Sequence, residues 1–545
     1  MKKILQCGAI FCAASMTVGL FLKAEGRNGA GQRWWSHVVY LAGDDLQGRN
    51  TGSEGHRKAA EYVAGKFKEM GLEPAGTFGY FQPVKFRSRR ILEDRSSLAL
   101  IRESGGEPLM LGEDAIFSMR IEPAAVLEAP VVFAGYGLRV PELKYDDFAG
   151  LDLSGKVVAY FSGGPSSIPG PLRSHYQSAS ERWKTLKSLG ARGTIAILDP
   201  HHMDIPWPRS ALARFQPAMT LTDPALDDTA GQEMSVTFNP EHADKLLAGS
   251  GHTFNELLSL ADQGKPLPTF SIPVRVRAKV EFEASSVESQ NVVGILRGAD
   301  PKLSHEYVVL TAHLDHLGVG RPINGDSIYN GAMDNASGVA SLLEIAQSLR
   351  ESKAKLRRSL LFVTVTAEEK GLLGSKYFAA HPTVTTEAMI ADLNIDMFLP
   401  LFPLRILTVM GLDESDLGKR IRAIAEPLGI KVQADPEPER NLFIRSDQYN
   451  FIRRGIPSLA FKVGFTKGSP EAATAKKWLT ERYHAPSDDV QQPVDLDAAA
   501  DFNHVIELLA RDVANRTEPP KWEARSFFRR FVSSGADGAP AHPIK

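Results

Sequence analysis

The sequence predicts an α/β fold, a mostly parallel mixed sheet sandwiched by helices, and three observations support this prediction. The 545 residues exceed the size of one ordinary domain and suggest two or three domains. With 43% hydrophobic and 23% charged residues, the composition is that of a globular protein. From residue 290 onward, apolar runs typical of buried strands alternate with amphipathic helical stretches. Such alternation predicts a sheet whose two faces are both covered by helices.

The individual elements follow from local patterns. Four apolar runs have the length of buried strands, and they are Tyr307–Ala312, Leu360–Thr366, Met389–Ile395 and Pro457–Val463. Helical stripes of apolar residues run from Val339 to Leu349 and from Phe502 to Val513. Nearer the N-terminus, Gly52–Leu72 is predicted to form an amphipathic helix capped by Ser53.

The middle of the chain, residues 91–286, differs from both flanks. Short β-rich runs dominate it, and glycines and prolines separate them; three of these runs are residues 130–134, 156–161 and 194–198. A single helix, Glu181–Leu189, is predicted among them. We therefore expect this stretch to fold as a β-rich unit of its own.

Residues 1–24 have the pattern of a secretory signal peptide. A basic start, Met1–Lys3, precedes an uncharged run from Ile4 to Leu22. The alternative is an uncleaved membrane anchor, but the polar residues within the run favour export. Cys7 and Cys12 are the only cysteines and both lie in this leader, so any metal site must use His, Asp and Glu. We expect an exported protein, periplasmic or secreted, without a stable membrane span after cleavage.

Acidic and imidazole side chains follow the predicted strands, at the edge where an open α/β sheet binds its ligands. They are His313, Asp315, Asp334, Glu368, Glu369, Asp396 and His484. Each has an ordinary explanation when taken alone: Asp334 could cap a helix, and Glu368 could be the charged start of one. Together at one edge they would repel one another without a cation, and a pair of divalent metals would resolve that.

The spacing suits two metals. His313 and Asp315 are two residues apart at a strand end, so they can point the same way, and the acid can orient a metal-binding imidazole. Asp334, in a tight turn before a helix, is the natural bridging carboxylate. Glu368 and Glu369 point in different directions, so one can ligate while the other serves as a general base.

The order of these motifs resembles a known family. The motifs are His313-Leu314-Asp315, Asp334-Asn335-Ala336-Ser337-Gly338, Ala367-Glu368-Glu369, Asn394-Ile395-Asp396-Met397 and Tyr483-His484. In that order they resemble the di-zinc exopeptidases, the family of bacterial leucyl aminopeptidases and aminopeptidase Y that is related to glutamate carboxypeptidase. Asp44–Arg49 resembles the N-terminal segment of the same family.

The resemblance implies a role for each of these residues. One zinc would be held by His313, Asp334 and Asp396. The other would be held by Asp334, Glu369 and His484. Glu368 would be the general base and Asp315 would support His313.

The resemblance also implies a division of the chain. The middle segment, with Val132–Gly137 and Asp152–Val158, resembles a protease-associated domain inserted into a peptidase. Residues 30–90 and 287–515 would then form the catalytic domain, residues 91–286 the insert and residues 516–545 a tail.

Three stretches depart from the pattern or could mislead. Gln448 stands where many relatives have His, although this position is not among the ligands. The stretch Thr466–Glu481 is predicted to be a long loop near the substrate. His201-His202-Met203-Asp204 could be mistaken for a metal motif, but nothing nearby completes a coordination set.

These features predict a zinc-dependent aminopeptidase that acts on peptides. A carboxypeptidase or dipeptidase on the same fold is an alternative, for which Arg445, Arg453 and Arg454 are weak candidates to bind a carboxylate. A non-catalytic, receptor-like binding protein would be expected to lose ligands, and a glutaminyl cyclase would use a single zinc. With 63 basic and 65 acidic residues, nothing indicates a nucleic-acid partner.

Overall fold

The computed structural model describes residues 29–533. The predicted leader, with both cysteines, and the end of the predicted tail lie outside these residues. Within the part described, no helix has the length and apolar character needed to cross a membrane.

The strands are numbered in chain order. They are β1 (Glu73–Pro74), β2 (Phe81–Ile91), β3 (Ser97–Arg102), β4 (Gly105–Leu109), β5 (Ala115–Phe117), β6 (Val126–Ala134), β7 (Arg139–Val140), β8 (Tyr145–Asp146), β9 (Val157–Phe161), β10 (Gly193–Ile197), β11 (Ala218–Leu221), β12 (Met234–Phe238), β13 (Thr269–Lys279), β14 (Phe282–Leu296), β15 (Tyr307–His313), β16 (Gly318–Ile323), β17 (Asp326–Tyr329), β18 (Ser359–Val365), β19 (Met389–Asn394), β20 (Ile406–Met410), β21 (Lys431–Ala434) and β22 (Ser458–Val463).

The α-helices are numbered in the same way. They are α1 (29–41), α2 (Glu54–Glu69), α3 (Gly170–Gln177), α4 (Ala179–Ser188), α5 (Trp207–Ser210), α6 (Ala243–Leu247), α7 (Phe254–Asp262), α8 (Ser337–Glu351), α9 (Leu373–Ala380), α10 (Leu417–Ala425), α11 (Gln448–Ile452), α12 (Pro470–Glu481) and α13 (Leu496–Asn515).

A ten-stranded mixed sheet forms the larger layer, in the order β11-β2-β14-β18-β15-β19-β22-β20-β21, with β1 paired to β14. Its centre, β18-β15-β19-β22, is parallel, whereas β11, β2 and β14 are antiparallel to their neighbours. All residues of β15, β18 and β19 are buried, because apolar side chains of the helices cover both faces. The predicted α/β class is confirmed. Parallel pairing occurs in the central strands and again between β20 and β21 at one edge, and β20 pairs antiparallel with β22.

The predicted elements of this layer lie within a few residues of the observed ones. Ser53 caps α2 as expected, because its hydroxyl accepts the N–H of His56. The prediction of a long loop over residues 466–481 is wrong. Most of that stretch is α12, which Ser469 caps by accepting the N–H of Ala472.

A second, eight-stranded sheet lies within residues 97–279, in the order β4-β3-β13-β6-β9-β10-β12-β5. It has its own apolar core, and α3, α4, α6 and α7 accompany it, so the prediction of a single helix in this region is wrong. The long ribbon of β2 and β14 connects the two sheets, and β11 returns to pair with β2 in the first sheet. The division into domains and the protease-associated character of this unit stay predictions.

The last described segment, residues 516–533, packs against the larger layer. Trp522 and Phe528 are buried in a cluster with Met410 and Phe443. The indole N–H of Trp522 donates to the Gly455 carbonyl at 2.8 Å. Residues 516–533 are therefore anchored to the larger layer by Trp522 and Phe528.

Candidate metal centre

The candidate residues meet at the carboxyl ends of the central parallel strands. His313 is the last residue of β15, Glu368 and Glu369 follow β18, and Asp396 follows β19. Their strands are adjacent, so residues far apart in the chain face one site.

Asp334 lies between two groups of ligand atoms, as its predicted bridging role requires. Its Oδ1 is 3.2 Å from His313 Nε2, and its Oδ2 is 3.2 Å from His484 Nε2. His313 Nε2 is also 3.5 Å from Asp396 Oδ1, and His484 Nε2 is 3.2 Å from Glu369 Oε2. The other four side chains that the resemblance assigns to two metals are thus gathered around the Asp334 carboxylate.

His316 is a further member that the sequence analysis did not assign. Its Nδ1 is 2.7 Å from Glu369 Oε1 and 3.8 Å from Asp334 Oδ2, and the residue is fully buried. His316, Asp334 and Glu369 form one group with metal-ligand spacing, and His313, Asp334 and Asp396 form another. The only signal in the sequence is that His316 follows Asp315 directly.

Two segments fix the turns that carry these ligands. The buried guanidinium of Arg49 donates to the carbonyls of Leu314, Asn330 and Gly331, at 2.9, 2.7 and 2.9 Å. The Asp488 carboxylate accepts the main-chain N–H of Asp334 at 3.0 Å. The loops of the centre are therefore held from the N-terminal and C-terminal parts of the chain at once.

Gly331 is needed for the close approach of these loops. It has φ +64°, and a Cβ there would lie 2.5 Å from His316 Cγ and 2.2 Å from the Asp334 carbonyl oxygen. Any larger residue would displace the imidazole or the bridging acid.

Asp315 acts through different atoms than expected. His313 Nδ1 lies 3.0 Å from the main-chain carbonyl of Asp315, not from its carboxylate. The carboxylate accepts the N–H of Glu368 at 3.0 Å and the hydroxyl of Thr51 at 2.9 Å. The expected orientation of His313 by the Asp315 carboxylate is thus corrected: the carboxylate anchors the turn that carries Glu368.

His313 and His484, the two histidines that the resemblance assigns to the metals, lie beside acids that raise their pKa. Burial lowers the pKa of His313, but the Glu368 charge and the neighbouring aspartates raise it well above its usual value. Burial likewise lowers the pKa of His484, and the charge of Glu369 raises it to about 10. Positive charge is therefore strongly favoured at both imidazole positions.

The adjacent glutamates have opposite environments. Burial raises the pKa of Glu368 well above its usual range, against the opposing charge of His313. For Glu369, burial also raises the pKa, but the charges of His484 and His316 hold it well below its usual range. Glu369 is thus the carboxylate turned toward imidazoles, and Glu368 is the one that favours a proton.

The residues present fit a divalent metal. Several nitrogen and oxygen atoms are buried and have no hydrogen-bond partner among the described residues, and they are His313 Nε2, His316 Nδ1 and Nε2, Glu369 Oε1 and Asp396 Oδ1. His316 Nδ1 and Glu369 Oε1 are close enough for a hydrogen bond but lack its geometry, as expected for two ligands directed at a common ion. Imidazole and carboxylate donors without thiolate suit zinc.

Glu368 faces a cleft between the two layers. The cleft has a volume of about 670 Å³ on this side, and Tyr483, Arg445 and residues of the second unit also line it. Arg120 of the second unit donates to the Glu369 carbonyl at 2.8 Å. Sequence reasoning missed Arg120, because it lies 249 residues from Glu369 and in no motif.

Gln448 takes a structural position. It is fully buried, its amide oxygen accepts from Asn394 at 2.7 Å, and its amide nitrogen donates to the Phe443 carbonyl at 3.0 Å. The departure from the family pattern at this residue therefore affects the packing under the strand end rather than the ligand set.

The histidines of the second unit stay outside the centre. His201 pairs with Asp262 at 2.8 Å and His202 with Asp199 at 2.7 Å, and both imidazoles are exposed. Neither belongs to a group with metal-ligand spacing among the described residues.

Comparisons with known proteins identify the family of this segment. Residues 291–510 match the model of peptidase family M28. A probable leucine aminopeptidase 2 of Aspergillus oryzae is 30% identical over 247 residues, 43% of this chain and 45% of that protein. Aminopeptidase YwaD of Bacillus subtilis is 28% identical over 208 residues, 37% of this chain and 40% of that protein.

A solved structure extends the likeness of fold to most of the chain. The aminopeptidase from Aneurinibacillus sp. strain AM-1 has a TM-score of 0.54 at 19% identity, covering 90% of this chain and 95% of that one. The chain spans less than half the length of the two curated relatives. The matched residues contain every candidate ligand, so the predicted resemblance is confirmed for this segment, and residues 291–510 match peptidase family M28.

Proposed function

We propose that the protein is a zinc-dependent aminopeptidase with two zinc ions per chain. The observation that carries this is the position of Asp334, whose two carboxylate oxygens each face an imidazole 3.2 Å away. A carboxylate between two ligand groups is the arrangement that a pair of metals requires. The names of the curated relatives, both aminopeptidases, support the reaction.

The distances support the ligand sets that the resemblance implies. His313, Asp334 and Asp396 would hold one zinc, and Asp334, Glu369 and His484 the other, with His316 against the second group. Bound there, the zinc ions would polarise the scissile carbonyl and lower the pKa of the attacking water.

Glu368 is the proposed general base. Its neighbour Glu369 is turned toward His316 and His484, while Glu368 lines the cleft where a peptide can reach it. Asp315 fixes the main chain of Glu368 by accepting its N–H, so the carboxylate is positioned before substrate arrives. Its oxygen would accept the proton of the water and pass it to the leaving amine.

The carboxypeptidase alternative is weakened at the arginines first considered for it. Arg445 is paired with Asp204 at 2.9 Å, and Arg453 lies 3.3 Å from Asp228. These guanidiniums already have carboxylate partners inside the protein, so a substrate carboxylate would have to compete with them.

The surroundings of the metal centre also have a role in the proposed function. The unit with the second sheet would shape access to the cleft, since Arg120 reaches the metal centre from it. The protein would be exported by its leader and act on peptides outside the cytoplasm.

The test is a substrate screen with and without a chelator. Amino-acid amides and C-blocked peptides with a free N-terminus should be cleaved, and N-acetylated peptides should resist. Chelation should abolish turnover, and added zinc should restore it. Full activity after complete metal removal, or cleavage that requires a free C-terminus instead, would overturn the proposal.

A further inference from the structure

Next to the metal centre, on the side away from Glu368, lies a second part of the cleft, which we call the arginine cleft. It has a volume of about 330 Å³, in the range of ligand pockets, and Glu369 and His484 form its inner end. Arg120, Arg209 and Arg321 line it, and its walls are otherwise largely apolar.

Two of the three guanidiniums, those of Arg209 and Arg321, have no acidic partner among the described residues, whereas the charges of Glu368 and Glu369 act on Arg120. Among the described side chains, no carboxylate lies within ion-pair distance of Arg120, Arg209 or Arg321. A fourth lining arginine, Arg214, is paired with Glu93 at 3.0 Å, so its charge is compensated. Glu369, the acid at the inner end, faces His316 and His484 instead. The arginine cleft therefore carries an excess of positive charge.

Each guanidinium is held in place by uncharged groups. Arg209 donates to the carbonyls of Thr480 and Leu479, at 2.6 and 3.1 Å, and its Nε is buried without a hydrogen-bond partner. The Arg321 guanidinium lies over the Phe215 ring, 4.3 Å from its centroid, and Arg214 contacts the same ring. Planar groups fixed in this way are prepared to bind an oxyanion with two parallel hydrogen bonds.

The position of the arginine cleft determines which anion it meets. The two parts of the cleft share Arg120, Glu369 and His484, so a peptide at the metal centre extends into one or both. A free amino terminus would be repelled by Arg209 and Arg321, which line the arginine cleft and not the wider side, so its place is the wider side with Glu368. The rest of the peptide then runs into the arginine cleft, and every peptide ends in a carboxylate.

We propose that the arginine cleft is a subsite for a substrate carboxylate beyond the scissile bond, which selects short peptides or peptides with an acidic residue there. This inference rests on the proposed function for the direction of the peptide. The carboxylate has two sources, the C-terminus and an Asp or Glu side chain, and the test separates them.

The kinetic test uses the full, zinc-loaded chain and two matched substrate pairs. Leu-Gly-Gly is compared with Leu-Gly-Gly-amide for the C-terminus, and Leu-Glu-amide with Leu-Gln-amide for the side chain. We expect kcat/KM to favour the carboxylate of at least one pair by about 10-fold or more, mainly through KM, as expected for a charge-assisted hydrogen bond. A ratio near one in both pairs would overturn the proposal.

The variants Arg209→Met and Arg321→Met should bring that ratio toward one. Arg422→Met is the matched control, because Arg422 also donates to a main-chain carbonyl but lies on α10, outside the cleft. Arg321 is exposed, so Arg321→Met should fold normally. This variant therefore remains informative even if the loss of Arg209 destabilises α12. An unchanged ratio in Arg321→Met and in the double variant would contradict the proposal.

A binding measurement separates this proposal from the proposed function. N-acetyl-Gly-Glu and N-acetyl-Gly-Gln-amide are titrated into the zinc-loaded chain by calorimetry, which needs no turnover. Binding of the acidic peptide that weakens in Arg321→Met would support the subsite even if no leucyl substrate were hydrolysed. Hydrolysis of all four substrates without any dependence on the arginines would leave the aminopeptidase intact and remove the subsite.

Discussion

Two buried aspartates, Asp334 at the strand ends and Asp114 in the second unit, both contact histidine, yet their environments differ. Asp114 pairs through Oδ1 with His242 and Lys245, each at 2.6 Å, and its Oδ2 accepts the N–H of Met110 at 2.7 Å. Burial raises the pKa of Asp114, but Lys245 and these hydrogen bonds lower it below its usual value. The charge of Asp114 is thus balanced by the protein itself.

Around Asp334 the protein's own groups balance the charge incompletely. Other acids crowd the same space, and imidazole nitrogens beside it are buried without hydrogen-bond partners among the described residues. Burial raises the pKa of Asp334, and so does Glu369, while His313 and His484 hold it below its usual value. The comparison shows what indicates a metal site. It is the presence of buried nitrogen and oxygen atoms that lack hydrogen-bond partners and face a common point, rather than the number of acids and histidines.

The largest expected effect comes from removing the bridging acid. Asp334→Asn should lose bound zinc and reduce turnover to the background of the assay, because both ligand groups share this carboxylate. Zinc content by elemental analysis and turnover are measured together. Asp114→Asn is the control for a buried acid and should keep zinc while unfolding at a lower temperature. Equal zinc content in the two variants would contradict the contrast between them.

Glu368 and Glu369 divide the roles inside the metal centre. Glu368→Gln should keep zinc but lower kcat by on the order of 10²–10⁴, since the amide cannot accept a proton. Glu369→Gln should lower zinc content, and added zinc should restore part of the activity. The two variants are compared side by side by zinc analysis and kinetics. Zinc loss in Glu368→Gln with retention in Glu369→Gln would reverse the assignment.

His316 tests whether the second ligand group is larger than the resemblance implies. His316→Asn should weaken zinc binding by roughly 10- to 100-fold, the cost typical of a lost partner at a metal site. Affinity is measured by competition with a chelator. His56→Asn is the control, because His56 is equally buried but faces the Ser289 hydroxyl at 3.2 Å. Equal affinity in both variants would exclude His316 from the centre.

The pH dependence of metal binding follows from the raised histidine pKa values. With a pKa of about 10 in the metal-free protein, His484 is protonated at neutral pH, and zinc must displace that proton. The apparent affinity should therefore rise between pH 6 and 8, by about tenfold per pH unit for each proton released. The same shift stabilises the metal-free fold below the unfolded-state pKa of 6.5, and that stability is lost as the pH rises through about 10. A flat affinity profile would contradict this.

The smallest effects are expected in the second unit. His201→Ala removes an exposed pair, so the free energy of unfolding should change by no more than about 1 kcal/mol. His202→Ala removes an exposed imidazole from the buried Asp199, whose carboxylate still accepts the N–H of His201 at 2.9 Å, and we expect only a small loss of stability. Zinc content should stay at the wild-type value. Zinc loss in either variant would show that the second unit contributes a ligand.

Local patterns in the sequence determined the strands and the residues that follow them. The apolar runs of β15, β18 and β19 are fully buried, so their pattern is continuous and their ends could be read within one or two residues. The α/β class and the family followed from the same segments. The helix α12 was missed because its one end signal, Ser469 before Pro470, lies in a polar stretch with a weak apolar stripe.

Which side-chain and main-chain atoms face one another at the metal centre depends on the tertiary structure. The carboxylate of Asp315 contacts the N–H of Glu368, and its main-chain carbonyl contacts His313. Packing between the strands determines this arrangement, and the spacing of these residues in the sequence does not. His316 joined the centre because Gly331 allows its ring to approach, and Arg120 because the second unit folds over the cleft. These contacts link segments far apart in the chain, and their geometry depends on side-chain packing that no local periodicity encodes.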